Sequence, residues 1–319
     1  MAHIVPHPLM NIPAADLLDW YDRERRDLPW RHAGVTAWQI LVSEFMLQQT
    51  PVARVLPVWR EWVLRWPTPS ATAAAGPADV LRAWGKLGYP RRAKRLHECA
   101  TVIARDHADV VPDDVEILLT LPGVGAYTAR AVACFAYGQP VPVVDTNVRR
   151  VVARAVYGRA DAGAPSPARD HADVAALLPE NGIAHLFSAA LMELGATVCT
   201  ARNPRCGLCP LSACSWRQAG YPAGGRPPRR PQRYAGTDRQ VRGLLLDVLR
   251  ASDFPVTRAQ LDVVWPTDTA QRGRALDSLL ADGLVTQTVD GLFALAGEEN
   301  QGAVRKDSTA CRYAPGISS

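Results

Sequence analysis

The stretch that decides the fold is "LLTLPGVGAYTARAVACFAYG", Leu118–Gly138. Apolar residues at three-to-four spacing flank a Pro-Gly-Val-Gly turn, so the segment reads as helix, tight turn, helix. Gly123 and Gly125 permit a turn whose amides face outward at the N-terminus of the second helix. Such a turn can hold a phosphate through backbone N–H groups and the helix dipole, without reading base sequence. A Gly-x-Gly alone would serve an ordinary helical hairpin equally well. The longer string LPGVG-x-x-T-A is much more specific.

Working outward, "VVDTNVRRVVAR" (Val143–Arg154) places Asp145 just before a helix of valines and arginines. In isolation Asp145 is an N-cap. On the other side lies "ILVSEFMLQQT" (Ile40–Thr50), where one ionisable residue, Glu44, sits in an apolar run. At helical spacing Leu41, Glu44 and Leu47 share a face, so the carboxylate is withdrawn from water. Burial costs an unpaired carboxylate several kcal/mol or raises its pKa toward neutrality. A lone boundary Glu reaching solvent would need no such account.

The chain has 319 residues, 48% apolar and 21% charged, which suits two or three domains with real cores. No run approaches the length of a membrane helix, and "MAHIVPHPLMNIPAADLLDW" lacks the layout of a signal peptide. The expected location is therefore the cytoplasm, with no membrane partner. The net charge of +5 only permits an anionic partner. "RERR" (Arg23–Arg26), "RRAKR" (Arg91–Arg95) and "RPPRRPQR" (Arg226–Arg233) concentrate the positive charge, although solvated helix faces and linkers also produce such runs. Of seven cysteines, four crowd into "CTARNPRCGLCPLSAC" with C-x6-C-x2-C-x4-C spacing. In a cytosolic chain that is a metal or iron–sulfur site rather than two disulfides. Cys99 and Cys134 lie in apolar helical patterns and read as core.

From residue 13 to about 220 the pattern is helical throughout, with no competing β alternation. "YPAGGRPPRRPQRYAG" (Tyr221–Gly236) reads as a linker. Three helical segments and "LVTQTVDGLFAL", two strands around an Asp–Gly turn, follow over 237–296 and suggest a small winged-helix-like α+β unit. From Gly297 to 319 the chain is polar, and disorder is expected.

The order SE-x-MLQQT, KLGYPRRAKRL, LPGVG-x-Y-TA, V-D-x-NV-x-R and the four cysteines resembles the helix-hairpin-helix DNA glycosylases of the endonuclease III-like superfamily. Within them it resembles the MutY-type adenine DNA glycosylases, from about Leu17 to Pro222. The resemblance implies an all-α glycosylase fold. A six-helix barrel over 31–145 would face an iron–sulfur cluster helical domain built from 1–30 and 146–222, with DNA across the groove and the target adenine flipped out.

It also implies roles. Glu44 would be the general acid that protonates adenine, and Asp145 would stabilise the oxocarbenium-like sugar or trap it covalently, with Asn147 beside it. Endonuclease III-type relatives carry a Schiff-base lysine where this chain has Tyr127, so it should cut only the N-glycosidic bond and leave an abasic site. Gln49 resembles the residue that wedges into the duplex, Tyr89 one that stacks beside the opposing guanine, and Arg31 one at the adenine pocket, though an extra residue separates Arg31 from Glu44. Cys199, Cys206, Cys209 and Cys214 would ligate a four-iron four-sulfur cluster. That cluster would fix the loop presenting Arg202 and Arg205 to the DNA backbone. The last interval is one residue shorter than the family's, which leaves zinc open at this point.

The implied activity is base-excision repair of adenine mispaired with 8-oxoguanine or guanine, on double-stranded DNA, by a monomer working at the nucleoid. Typical members carry a further C-terminal domain that inspects 8-oxoguanine; residues 237–296 do not resemble it. Two other readings stand. One is a thymine or uracil mismatch glycosylase of the same fold, which "LQQT" with Glu44 disfavours. The other is a non-catalytic DNA-binding protein, which the intact Glu44–Asp145 pair disfavours.

Overall fold

The computed structural model describes residues 12–180, 182–225 and 233–298. Helices dominate. In chain order they are α1 (Ala14–Glu24), α2 (Ala37–Leu47), α3 (Val52–Arg65), α4 (Pro69–Ala73), α5 (Pro77–Trp84) and α6 (Arg91–Asp106). The helices of the hairpin, α7 (Val115–Thr120) and α8 (Ala126–Tyr137), come next. They are followed by α9 (Thr146–Ala155), α10 (Pro167–Ala175), α11 (Ala184–Thr197) and the single turn α12 (Ser215–Gln218). Helices α13 (Asp238–Arg250), α14 (Arg258–Asp262) and α15 (Thr269–Ala281) precede strands β1 (Val285–Gln287) and β2 (Phe293–Leu295).

Local chemistry sets many of these ends. The side chains of Asp114, Asp145 and Asp268 accept the first free amides of α7, α9 and α15. Thr257 and Gln260 form a reciprocal capping box on α14. Proline opens α4, α5 and α10, where its missing N–H costs nothing. Gly138 ends α8 in the left-handed region at φ 69°, donating to the Cys134 carbonyl.

The chain divides into two compact units. The first joins Met1–Glu44 to Val111–Arg230. Its core packs Leu17, Trp20 and Tyr21 of α1 against Phe187, Leu191 and Leu194 of α11, with Val148, Val151 and Val152 of α9 closing the layer. The hairpin lies in this unit. Leu121 and Val124 turn inward between α7 and α8, while Gly123 takes φ 78°, which a side chain would resist. A smaller cluster of Ala131, Cys134 and Val143 receives the Tyr127 ring.

The second unit joins Phe45–Val110 to Pro231–Ser319. Trp62 and Trp84 are fully buried, and Trp62 meets Trp66 and Trp84 edge-on at 4.7 and 6.1 Å. The winged-helix order of the C-terminal segment is present: three helices, then an antiparallel β1–β2 pair with Thr286 opposite Ala294. This segment is docked rather than tethered, because α13 and β2 pack against α5. The Arg82 guanidinium donates to Glu298 Oε1 at 2.5 Å and to the Ser252 carbonyl at 2.8 Å, and Arg250 donates back to the Leu81 carbonyl at 3.1 Å.

Residues 111–145 group with the cluster-bearing helices, and the C-terminal segment groups with α3 to α6. Disorder was expected from Gly297 onward, but Glu298 is buried because its carboxylate is the partner of Arg82. Residues 299–319 of that tail, 226–232 of the expected linker and the first eleven residues lie outside the described residues. Besides Arg250, the C-terminal segment carries five arginines. Four of them are engaged: Arg242 with Ser278 and Asp282, Arg258 and Arg272 with Asp262, and Arg274 with Asp238. Arg239 also has a partner.

Glu298→Ala would leave the half-buried Arg82 guanidinium without its carboxylate. A loss of about 1–3 kcal/mol is expected, at roughly 2–4 °C of Tm per kcal/mol in a chain of this size. Thermal unfolding followed by circular dichroism checks this; an unchanged Tm would mean that the pair does not hold the C-terminal segment in place.

Candidate active site

Glu44 stands near the C-terminal end of α2, between Ser43 and Phe45, and is 7% exposed. Its neighbours Leu41, Val42, Phe45 and Met46 are buried apolar groups, so no water shell is available to the carboxylate. Burial pushes its pKa up to about 7, against a hydrogen bond from the Tyr127 hydroxyl; the Asp145 charge raises it further and Arg31 lowers it. Tyr127, on the first turn of α8, is itself pushed well above its ordinary value by burial and by the two carboxylates. Its hydroxyl stays protonated and donates to Glu44. Three residues far apart in sequence thus meet in one unit.

Asp145 faces different chemistry. Its Oδ1 accepts the Val148 amide at 2.7 Å as the N-cap of α9, and its Oδ2 accepts Asn147 Nδ2 at 2.7 Å. Burial raises its pKa, while these donors and the Arg150 charge oppose the rise. The Asp145 charge is among the causes that raise Glu44. The pair therefore loses its first proton from Asp145 and keeps the second on Glu44 up to about pH 7.

Asn147 is itself held. Arg150 Nη2 donates to Asn147 Oδ1 at 2.7 Å and to the Gly195 carbonyl at 2.6 Å, and its Nε donates to the Cys199 carbonyl at 2.7 Å. The approach of α11 to α9 requires glycine at 195, where a Cβ would lie 2.7 Å from Asn147 Cβ. One arginine thus joins the start of the cysteine loop to the partner of Asp145.

The four clustered cysteines are all partly buried and none forms a disulfide. Burial, together with the charges of Cys199, Cys214 and Cys206, raises the Cys209 thiol to about 11, so the four sulfurs sense one another. No three His, Cys, Asp or Glu among the described residues are gathered closely enough for a single metal ion. Four free thiols near enough to act on one another's ionisation are a ligand set of the kind that an iron–sulfur cluster takes. Arg154, buried beside them, donates to Cys199 Sγ at 3.4 Å and to the Thr200 carbonyl at 2.8 Å, and stacks 4.7 Å from the Trp216 ring. A fixed cation there favours the thiolate forms that iron requires. The residues present fit the group.

Arg31, in the turn Pro29–Arg31, is directed by Glu193 of α11, whose Oε2 accepts Arg31 Nη1 at 2.9 Å. The Glu193 side chain is fully buried and also takes Arg26 at 2.6 and 2.8 Å. Burial alone would raise its pKa, but the two arginines outweigh this and hold it below the ordinary value. Gly125 is the N-cap residue of α8, with no side-chain cap hydrogen bond. Arg202 and Arg205 are exposed on the cysteine loop, and Arg205 Nη2 also donates to the Thr197 carbonyl at 2.5 Å. Gln49 and Tyr89 lie in the other unit, and each takes a positive φ, 55° and 48°.

Reading the sequence missed Glu193, Arg150, Arg154 and Gly195. Glu193 carried the same signal as Glu44, one acid in the apolar run "LMELG". Asn147, Arg150 and Arg154 share a helix face at i, i+3 and i+7, a signal present in "NVRRVVAR". Gly195 carried none.

Comparison with known proteins bears on this arrangement. A model of the HhH-GPD superfamily of base excision DNA repair proteins matches residues 42–168, and one of the iron–sulfur binding domain of endonuclease III matches residues 199–213. The adenine DNA glycosylase of Mycobacterium tuberculosis is 76% identical over 302 residues, covering 93% of this chain and 99% of that protein. That of Mycolicibacterium smegmatis is 74% identical over 92% and 99%. The human adenine DNA glycosylase is 41% identical over 63% of this chain but only 39% of its own length. Among solved structures, a thermostable thymine-DNA glycosylase superposes with a TM-score of 0.59 at 28% identity, over 65% of this chain and 95% of that one. A trapped endonuclease III–DNA covalent intermediate shares the fold, with a TM-score of 0.55 at 23% identity, over 65% and 94%. Identity of 76% sustained over 99% of a relative is far beyond a likeness of fold, and the chain belongs to the adenine DNA glycosylase family.

Proposed function

We propose that the chain removes adenine mispaired with 8-oxoguanine or guanine from double-stranded DNA, acting as a monomer with a single activity and leaving an abasic site. The observation that carries this reading is the buried Glu44–Tyr127–Asp145 group, in which one carboxyl holds a proton to about pH 7 beside one that gives its proton up first. Adenine leaves poorly until a ring nitrogen is protonated, and Glu44 is the acid that supplies this proton. Asp145 supplies the negative charge that stabilises the oxocarbenium-like sugar or captures it, and water then completes hydrolysis. Asn147 orients Asp145, and Arg31 lines the base pocket. Tyr127 has no amine with which to form a Schiff base, so the sugar–phosphate strand is left intact.

DNA contacts fall to Gly123 and Gly125 through backbone amides, to Arg202 and Arg205 through charge, and to Gln49 and Tyr89 through insertion and stacking. The cofactor of the family is an iron–sulfur cluster, and Cys199, Cys206, Cys209 and Cys214 would hold it. When bound, it ties the cysteine loop into one rigid piece. No helix among the described residues is long and apolar enough to cross a membrane. Work at the nucleoid suits a repair enzyme of this kind.

Single-turnover cleavage of 8-oxoguanine·A, G·A, G·T and G·U duplexes tests the substrate. Adenine release from the first two is expected; release of thymine or uracil without adenine would contradict it. Glu44→Gln should bind duplex and release no base, and Asp145→Asn should slow the step roughly a hundredfold or more.

The pH dependence has a fixed sign. The acid form of Glu44 is needed, so the single-turnover rate should fall as pH rises through about 7. Because the folded pKa is raised, the stabilising contribution of Glu44 is fully present below about pH 4.3 and is lost as pH rises through 7. Glu44→Gln should therefore gain stability over the wild type at pH 8 and not at pH 4. A flat rate profile, or an equal stability difference at both values, would remove Glu44 from the role of acid.

Borohydride should trap no covalent DNA adduct, and strands should break only after alkali or heat. Efficient trapping would overturn the single-activity reading. Cys199→Ser should lower both iron content and thermal stability. Full stability with normal iron would show that Cys199 is not a ligand.

A further inference from the structure

Two loops of the second unit carry the side chains assigned above to the duplex, and both hold them in an unfavourable backbone conformation. Gln49 at φ 55° and Tyr89 at φ 48° are non-glycine residues in the left-handed region. Each is a strained conformation for a side-chain-bearing residue, which surrounding structure must hold. Neither loop does so with its own side chains alone. What they share is Arg92, on the first turn of α6.

The two terminal nitrogens of Arg92 reach both loops. Nη1 donates to the Phe45 and Met46 carbonyls at 2.8 and 3.0 Å, the last turn of α2 before Gln49. Nη2 donates to Thr50 Oγ1 at 2.8 Å, immediately after Gln49, and to the Gly88 carbonyl at 3.2 Å, immediately before Tyr89. The guanidinium also lies 5.4 Å from the Tyr89 ring and 5.1 Å from the Trp84 ring. Thr50 Oγ1 in turn lies 3.4 Å from the Leu87 carbonyl, and Trp84 Nε1 donates to the Gly88 carbonyl at 3.0 Å. Gln49 is thus bracketed by Arg92 contacts at residues 46 and 50, and Tyr89 by one at 88 and by its own ring.

We infer that Arg92 is a positioning residue that holds Gln49 and Tyr89 at a fixed separation and in left-handed conformations before the duplex arrives. The inference rests on the reading that those two side chains meet DNA. A planar fork with parallel donors can bridge four acceptors on two loops; a lysine ammonium at the same place cannot span them. Burial lowers the Arg92 pKa to about 10, and the group remains charged at neutral pH. Holding the loops in advance removes their ordering cost from the step in which the base leaves the stack.

The test is a double-mutant cycle in the full-length, cluster-bearing protein. Single-turnover rates on 8-oxoguanine·A are measured for the wild type, Arg92→Met, Arg92→Lys, Gln49→Ala/Tyr89→Ala, and the two combinations. Fluorescence of a 2-aminopurine placed as the target base reports extrusion, and melting curves and iron content report folding. Arg92→Met should slow the reaction roughly ten- to hundredfold and reduce the fluorescence rise, and Arg92→Lys should fail to restore either. In the Gln49→Ala/Tyr89→Ala background the same Arg92 changes should cost no more than about twofold, because the groups they act through are gone.

Losses that multiply in the combined variants would show that Arg92 acts on the whole unit, and would overturn the inference while leaving the two contacts standing. Gln49→Ala/Tyr89→Ala as active as the wild type would overturn the contacts themselves, and the inference with them. If the Met variant does not fold, the Lys arm of the cycle decides alone. A Lys variant that folds with wild-type rate and fluorescence would refute the role.

Discussion

The structure turns on one constraint: two carboxyl groups, one buried and one partly buried, are close enough that the charge on Asp145 opposes ionisation of Glu44. Glu44 has apolar neighbours and a single neutral donor, Tyr127. Asp145 has a helix amide, an asparagine and a nearby arginine. Glu44 is buried and Asp145 only partly so, and the fuller set of donors on Asp145 adds to that difference in deciding which one keeps the proton. An acid and an anion are thereby available at neutral pH from chemically similar side chains, as protonation of a leaving base and stabilisation of a sugar cation require.

That asymmetry depends on where α9 begins. Asp145 is the cap of α9, so its orientation follows the helix, and Asn147 on the first turn completes its shell. Arg150 fixes Asn147 while also binding carbonyls of Gly195 and Cys199, and Arg154 one turn later sits on the Cys199 sulfur. The cysteine loop and the anionic carboxylate are thus attached to the same short helix. A cluster held by those cysteines would have a mechanical bearing on the site, because Arg150 donates to the Cys199 carbonyl at the start of the cysteine loop. The absence of a Cβ at residue 195 is what allows α11 near enough to take part.

Much of this was legible in the sequence, and the illegible parts have a common cause. The hairpin was readable because Gly123 needs a positive φ, and the string around it is local. Glu44 was readable because an acid in an apolar run is an anomaly without any knowledge of its partner. The cysteines were readable from spacing. By contrast, Glu193 pairs with residues more than 160 positions away, and Glu298 with one 216 away. Their meaning lies in contacts that no local window contains. The left-handed conformations at Gln49 and Tyr89 were hidden for the opposite reason: neither residue type announces a positive φ, and the Arg92 hydrogen bonds that flank both come from another element. The docking of the C-terminal segment was likewise obscured by a Pro- and Arg-rich stretch that reads as a tether.

The central claim, one proton held on Glu44 beside an ionised Asp145, can be observed without any reaction. Infrared difference spectra of the protein across a pH titration report the carbonyl stretch of protonated carboxyl groups, and Glu44→Gln and Asp145→Asn assign the bands. The account predicts a buried carboxylic acid band that disappears with a midpoint near 7 and is absent in Glu44→Gln. In Asp145→Asn the same band should titrate at lower pH, because the neighbouring charge has been removed. A Glu44 band that vanishes in the ordinary carboxylate range, or one that moves upward when Asp145 is neutralised, would contradict it.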